Sequence, residues 1–200
     1  MDLFNQETEN NLLPNDGIVI YYGKIMNQQI AQHYLDQLLH TIAWKQDEVI
    51  IFGRHIVTKR KTAWYGDRPY AYTYSRTTKQ ALPWTQGLRE LKARVEAISG
   101  ATFNSCLLNL YHSGNEGMGW HSDDEKTLVE NAPIVSLSLG AERKFSLKHK
   151  ETKQSVSVIL ENGSLLLMKG TTQTHWVHSL PKNKKVTNPR VNLTFRAMVE

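Results

Sequence analysis

Residues 119–125 read GWHSDDE. In an extended chain alternate side chains share a face, so His121 and Asp123 point to one side and Ser122 to the other. An imidazole and a carboxylate so placed can ligate one ion. The HWVH run at 175–178 offers a third donor in His175 or His178, which lie on opposite faces of a strand, so only one of them can turn toward the ion. Two imidazoles and one carboxylate form the facial triad of non-heme Fe(II) oxygenases, which leaves coordination positions open for a cosubstrate and O2.

Two strand-like runs supply a matching polar surface. In RVNLTFR at 190–196, Arg190, Asn192, Thr194 and Arg196 face one way while Val191, Leu193 and Phe195 face the other. In CLLNLY at 106–111, Asn109 and Tyr111 share a face with Leu107, opposite Cys106, Leu108 and Leu110. Guanidinium groups enclosed in a barrel need anionic partners, because a buried unpaired charge costs several kcal/mol. No acid lies near these arginines in the sequence. Two arginines on one face can grip both ends of a small dicarboxylate, aided by Asn109 and Tyr111.

These residues need a frame. With 200 residues, 40% of them hydrophobic, the chain can bury a sizeable core. Residues 1–16 are expected to be a polar extension and 17–200 a single domain. Gly17 to Tyr22 reads as a strand. Residues 28–42 read as a helix N-capped by Asn27, and Leu88, Leu91, Val95 and Ile98 mark a second helix stopped by Gly100. From there the apolar period changes to two, with strands expected at 104–112, 119–123, 133–140, 143–149, 155–160, 164–168, 174–179 and 190–198. About eight short strands argue for a mainly β fold, a sandwich or barrel with the helices packed outside. No apolar run approaches the ~20 residues that cross a bilayer, and the acidic start MDLFNQETEN is unlike a secretion signal. The single cysteine, Cys106, reads as buried and inert.

The net charge is +5, and the clustering of its basic groups is more informative than the sum. Arg54, Lys59, Arg60, Lys61 and Arg68 lie among Trp64, Tyr65, Tyr70, Tyr72 and Tyr74, and Lys182, Lys184 and Lys185 form a second group. Cations that hold phosphates beside rings that stack on bases suit a nucleic-acid groove.

The segments NLYHSG at 109–114, WHSDDE at 120–125, HWVHSLP at 175–181 and PRVNLTFR at 189–196 resemble the AlkB family of Fe(II)- and 2-oxoglutarate-dependent dioxygenases. IFGR at 51–54 and WYGDRPYAYTYS at 64–75 are most similar to the branch that includes the eukaryotic nuclear DNA-repair homologues. The resemblance implies a double-stranded β-helix, the cupin-like jelly roll. It also implies iron on His121, Asp123 and His178, with His175 left structural. By the same resemblance Arg190 binds the distal carboxylate of 2-oxoglutarate and Arg196 the end near the metal, in a pocket lined by Asn109, Tyr111, Asn192 and Thr194.

The activity so implied is oxidative demethylation of 1-methyladenine and 3-methylcytosine in alkylated DNA. It consumes O2 and 2-oxoglutarate and releases succinate, CO2 and formaldehyde. The nucleotide-recognition region falls at about 49–76. Phe52, Gly53, Arg54, Tyr72, Thr73, Tyr74, Asp124 and Glu125 match substrate-contacting positions, with Phe52 as a wedge that fills the stack a flipped base leaves. Asp124 and Glu125 suit a base made cationic by its methyl group. Duplex or single-stranded DNA is the expected partner, with RNA as a further substrate. A monomer with no membrane contact is expected, intracellular, nuclear in a eukaryote and cytoplasmic in a bacterium. The competing readings are a dioxygenase of the same fold acting on RNA, protein or lipid, and a non-catalytic jelly-roll binding module.

Overall fold

A computed structural model describes residues 11–51, 54–74 and 77–199 and, outside 47–51, 54–56, 72–74 and 77–79, their side chains. In chain order its elements are β1 (Ile18–Lys24), α1 (Gln28–Thr41), β2 (Lys45–Ile51), β3 (Arg54–Gly66), β4 (Ala71–Tyr74), β5 (Thr77–Gln80), β6 (Leu82–Pro83) and α2 (Gln86–Ser99). These are followed by β7 (Ser105–Tyr111), β8 (Met118–His121), β9 (Ile134–Gly140), β10 (Arg143–His149), β11 (Ser155–Leu160), β12 (Ser164–Lys169), α3 (Thr172–His175), β13 (Trp176–Leu180) and β14 (Arg190–Arg196).

The eight strands after Gly100 form two facing antiparallel sheets, ordered β12-β9-β14-β7 and β11-β10-β13-β8. This is the expected mainly β, double-stranded β-helix core. The first sheet is extended by β1 beyond β12 and by β3 and β2 beyond β7, while β4 and β5 pair separately. The two long helices start as their sequences dictate: Asn27 Oδ1 accepts from the Ile30 amide at 2.9 Å, and Thr85 Oγ1 from Leu88 at 3.3 Å. Gly100 closes α2 in the left-handed region at φ 68°, donating to the Glu96 carbonyl.

Alternation divides the larger sheet into two chemically distinct faces. On the helix side, Leu108, Val135, Leu137, Leu193 and Phe195 have no exposure and pack with Leu35, Leu38, Leu88 and Leu91 of the helices. Each such side chain contributes roughly 1.5–3 kcal/mol through burial. Cys106 lies on this face, fully buried, and burial pushes its thiol pKa up, as suits an inert residue. The other face looks into the barrel, where Phe145, Leu147, Leu166 and Trp176 form a second core. Among the described residues no helix is long and apolar enough to cross a membrane.

Several boundaries differ from the sequence expectation, two of them at residues singled out for chemistry. The strand expected at 119–123 stops at His121, and the one expected at 174–179 begins at Trp176, because residues 172–175 close a helical turn. The strands of 45–83 were not anticipated as a group. In β3, Arg60, Thr62, Ala63 and Tyr65 are all buried, so both faces are covered and polarity does not alternate.

Gly140 ends β9 beside Arg190, with φ 87° and no room for a Cβ against the Pro189 carbonyl. Gly140→Ala is expected to lower stability by about 1–3 kcal/mol, read as a fall in the denaturant midpoint at unchanged slope.

Candidate metal and cosubstrate site

His121 and His178 face each other directly across β8 and β13, with ring centroids 4.3 Å apart. His121 Nδ1 lies 2.9 Å from the Gly119 carbonyl, which can only accept, so in the neutral ring Nδ1 carries the proton and the lone pair is on Nε2. That nitrogen sits 3.8 Å from Asp123 Oδ1. The donor atoms of His121, Asp123 and His178 all lie within 4.8 Å of one another.

His178 and Asp123 are held in the protonation states a metal requires. Burial, opposed by Asp123, depresses His178 to about 4. Burial works to raise the Asp123 pKa, but the charges of Arg196, His178 and His121 outweigh it and hold the carboxyl below its ordinary range. This donor set fits Fe(II). One pH effect follows for the metal-free protein. Between about pH 6.5 and 4 the unfolded chain takes up a proton on His178 that the native state refuses. Stability is therefore expected to fall with pH across that window, by at most about 1.4 kcal/mol per unit. Urea titrations at successive pH values in chelator, compared with His178→Gln, measure it.

The neighbouring strands build a polar wall facing this cluster. Register places Tyr111 opposite Arg190, Asn109 opposite Asn192, and Leu107 opposite Thr194. On its other side β14 meets β9, where Ser138 is opposite Asn192 and Ser136 opposite Thr194. The groups are linked: Arg190 Nη2 donates to Ser138 Oγ and Asn192 Oδ1, both at 2.9 Å, Ser136 Oγ donates to Asn192 Oδ1 at 2.7 Å, and Asn192 Nδ2 donates to Thr194 Oγ1 at 2.9 Å.

Charge on this wall is unbalanced. Arg190 is buried, its pKa pushed down to about 10 by burial, and no carboxylate pairs with it among the described residues. Its Nε and Asn109 Oδ1 are buried without hydrogen-bond partners. The guanidinium carbons of Arg60, Arg143 and Arg190 lie 6.0, 6.0 and 5.5 Å from the Tyr111 ring centroid. So positive a buried wall suits a small dianion. A dicarboxylate such as 2-oxoglutarate fits it.

Arg196 is treated differently. Its Nη1 donates to Glu125 Oε1 at 3.0 Å. Burial alone would weaken its charge, but Asp123 and Glu125 raise its pKa above the ordinary arginine value. Glu125 therefore reaches an arginine on β14, while Asp124 beside it is exposed. Phe52 and Gly53 lie outside the described residues, as do the side chains of Arg54, Tyr72, Thr73 and Tyr74. Sequence reasoning missed Ser136, Ser138 and Arg143, and it put Arg60 in the basic cluster of a nucleic-acid groove, whereas the side chain is buried beside the Tyr111 ring. Only the serines carried a signal, as polar positions two apart in the run IVSLSLG.

A second group, Asp16, His149 and His175, also brings its donor atoms within 4.8 Å. His149 Nδ1 accepts from the amides of Glu151 and Thr152 at 3.2 and 3.1 Å, so in the neutral ring the proton is on Nε2, directed at Asp16 Oδ2 3.2 Å away. A metal at Nε2 would drive that proton onto a nitrogen already facing two donors. The cluster is a tether for the segment before β1, with His175 stacked on His149 at 6.1 Å between ring centroids.

A profile of the 2OG-Fe(II) oxygenase superfamily matches residues 18–196. The chain is 39% identical over 188 residues to the human protein named DNA oxidative demethylase ALKBH2, covering 90% of this chain and 72% of that one. It is 40% identical over 190 residues to human alpha-ketoglutarate-dependent dioxygenase alkB homolog 3, covering 90% of this chain and 66% of that one. The chain belongs to the AlkB family of 2OG-Fe(II) oxygenases. It is an Fe(II)- and 2-oxoglutarate-dependent dioxygenase, spanning about two thirds of the length of alkB homolog 3. The solved structure of OsALKBH1 shares the AlkB fold, with a TM-score of 0.57 at 16% identity, covering 92% of this chain and 98% of that one.

Proposed function

We propose that this chain oxidatively demethylates N-alkylated bases such as 1-methyladenine and 3-methylcytosine in DNA. The observation that carries the reading is the meeting, inside one barrel, of the His121, Asp123 and His178 donors with the buried, carboxylate-free Arg190. Relatives named DNA oxidative demethylase, 39% identical over most of this chain, support the substrate class.

In this reading His121, Asp123 and His178 hold Fe(II), and Arg190 with Tyr111 and Asn109 holds the distal carboxylate of 2-oxoglutarate. When bound, the iron and its cosubstrate supply the oxidising chemistry, and the protein supplies position. His178 stays neutral and Asp123 ionised, so neither competes for a proton at working pH. Arg196, anchored by Glu125, sets the electrostatics beside Asp123 and faces the near end of the cosubstrate together with Asn192 and Thr194. Asp124 and the free oxygen of Glu125 present negative charge to a base whose methyl group makes it cationic.

A base in a duplex must leave the stack to reach this interior. Phe52 fills the gap, Gly53 and Arg54 contact the substrate beside it, and Tyr72, Thr73 and Tyr74 contact the base, with a cation–π attraction to Tyr74 of about 0.5–2 kcal/mol. Residues 49–76 thus form the recognition region of a single dioxygenase domain spanning 17–200, which acts as an intracellular monomer.

The test is incubation with Fe(II), ascorbate, 2-oxoglutarate and oligonucleotides carrying 3-methylcytosine or 1-methyladenine, as duplex DNA, single-stranded DNA and RNA. Formaldehyde release with base reversion is expected on DNA. Reversion on RNA alone would move the substrate, and 2-oxoglutarate binding with no reversion on any nucleic acid would overturn the proposal.

A further inference from the structure

His121 and His178 are held in place by the ladder of two paired strands, but Asp123 is not. β8 ends at His121, so the backbone N–H of Asp123 finds no strand partner. It donates instead to Gln173 Oε1 at 2.9 Å, across 50 residues of chain. Because an N–H needs an acceptor, the orientation of this amide is set. Its Nε2 then lies 3.5 Å from Met168 Sδ, within the barrel core.

Gln173 belongs to α3, and that turn is itself fixed from several directions. The Thr172 hydroxyl accepts from the Ile18 amide of β1 at 2.9 Å and lies 2.7 Å from the Lys169 carbonyl. Lys150 Nζ donates to the Gln173 carbonyl at 2.8 Å. Next to Asp123, Ser122 Oγ donates to the Trp176 carbonyl at 3.2 Å. The extended path that turns Asp123 toward the two histidines is thus maintained by residues 173 and 176, and of these two Gln173 bonds to Asp123 itself.

We infer that Gln173 is a positioning residue for the carboxylate ligand: through the Asp123 amide it sets where that carboxylate stands relative to His121 and His178, and so how tightly the metal is held. It touches neither metal nor cosubstrate. The inference rests on the reading of those three residues as metal ligands. Groups that orient ligands from behind typically contribute 10–100-fold to metal affinity. A purely structural role, satisfying a buried amide, would change stability and leave affinity unaltered.

The experiment titrates Mn(II) alone into the full chain and follows the free-ion electron paramagnetic resonance signal. It compares wild type, Gln173→Met, which keeps the length without the acceptor, Gln173→Glu, which keeps the acceptor, and Asp123→Ala. Hydrogen exchange at the Asp123 amide is measured in parallel. Gln173→Met is expected to bind Mn(II) about 10–100-fold more weakly, with faster exchange at Asp123, and Gln173→Glu to recover most of the affinity. If Gln173→Met does not fold, Gln173→Ala, which admits water to the amide, takes its place with the same expectation. A folded Gln173→Met with wild-type affinity, or a Gln173→Glu as weak as Gln173→Met, overturns the inference. Equal binding by wild type and Asp123→Ala would instead overturn the ligand assignment beneath it.

Discussion

Asp123→Ala is expected to reduce 2-oxoglutarate turnover by more than about 100-fold, since losing even an outer partner of a metal ligand costs 10–100-fold and this change removes a donor itself. The protein should remain folded. Asp123 lies outside the strand ladders, and the bond from its backbone amide to Gln173 survives the substitution. Arg196, otherwise left without one of its two anions, keeps its ion pair with Glu125. Succinate formation and Mn(II) affinity should fall together, with the far-ultraviolet circular dichroism unchanged. Loss of folding in step with loss of turnover would speak against a donor role.

Arg190→Met is expected to separate cosubstrate binding from stability. Arg190 is a fully desolvated cation whose hydrogen bonds go to neutral groups, Ser138 and Asn192. With no acid pairing it among the described residues, burial of that charge opposes folding, so an apolar side chain of similar volume is expected to be tolerated there. In the proposed function the cosubstrate supplies the missing anion. Removing one partner of a buried charged pair costs about 2–5 kcal/mol, so the 2-oxoglutarate dissociation constant should rise by roughly 30-fold or more. The unfolding midpoint without cosubstrate should hold or rise. A marked loss of stability with unchanged cosubstrate affinity would make Arg190 a structural residue.

The wall around Arg190 was legible in the sequence because a strand repeats every two residues. The alternation of RVNLTFR and CLLNLY put Arg190, Asn192, Asn109 and Tyr111 on one face, and the register aligns them in rows. Where polarity does not alternate the signal disappears. Arg60 and Thr62 are buried on one face of β3 while Ala63 and Tyr65 are buried on the other, so the basic and aromatic stretch conveyed charge but no strand. Two features of the site were invisible for another reason. The ion pair from Arg196 to Glu125 and the bond from Asp123 to Gln173 join residues 71 and 50 positions apart, and nothing local announces such contacts. The turn at 172–175 also replaced an expected strand, so His175 ends a helical turn and the alternation argument that set it against His178 does not describe it.

That the histidine and aspartate donors and the arginine wall form one site is the claim on which the rest depends. It is tested most directly by calorimetric titration of 2-oxoglutarate into the protein with and without saturating Mn(II), paired with the reverse titration. If metal and cosubstrate share a coordination sphere, each must tighten the other by the same factor, because coupling between binding sites is reciprocal. The expected result is matched tightening in both directions in the wild type, lost in Asp123→Ala and kept, at weaker cosubstrate affinity, in Arg190→Met. Independent binding, with 2-oxoglutarate affinity the same in the presence and absence of metal, would contradict a shared site.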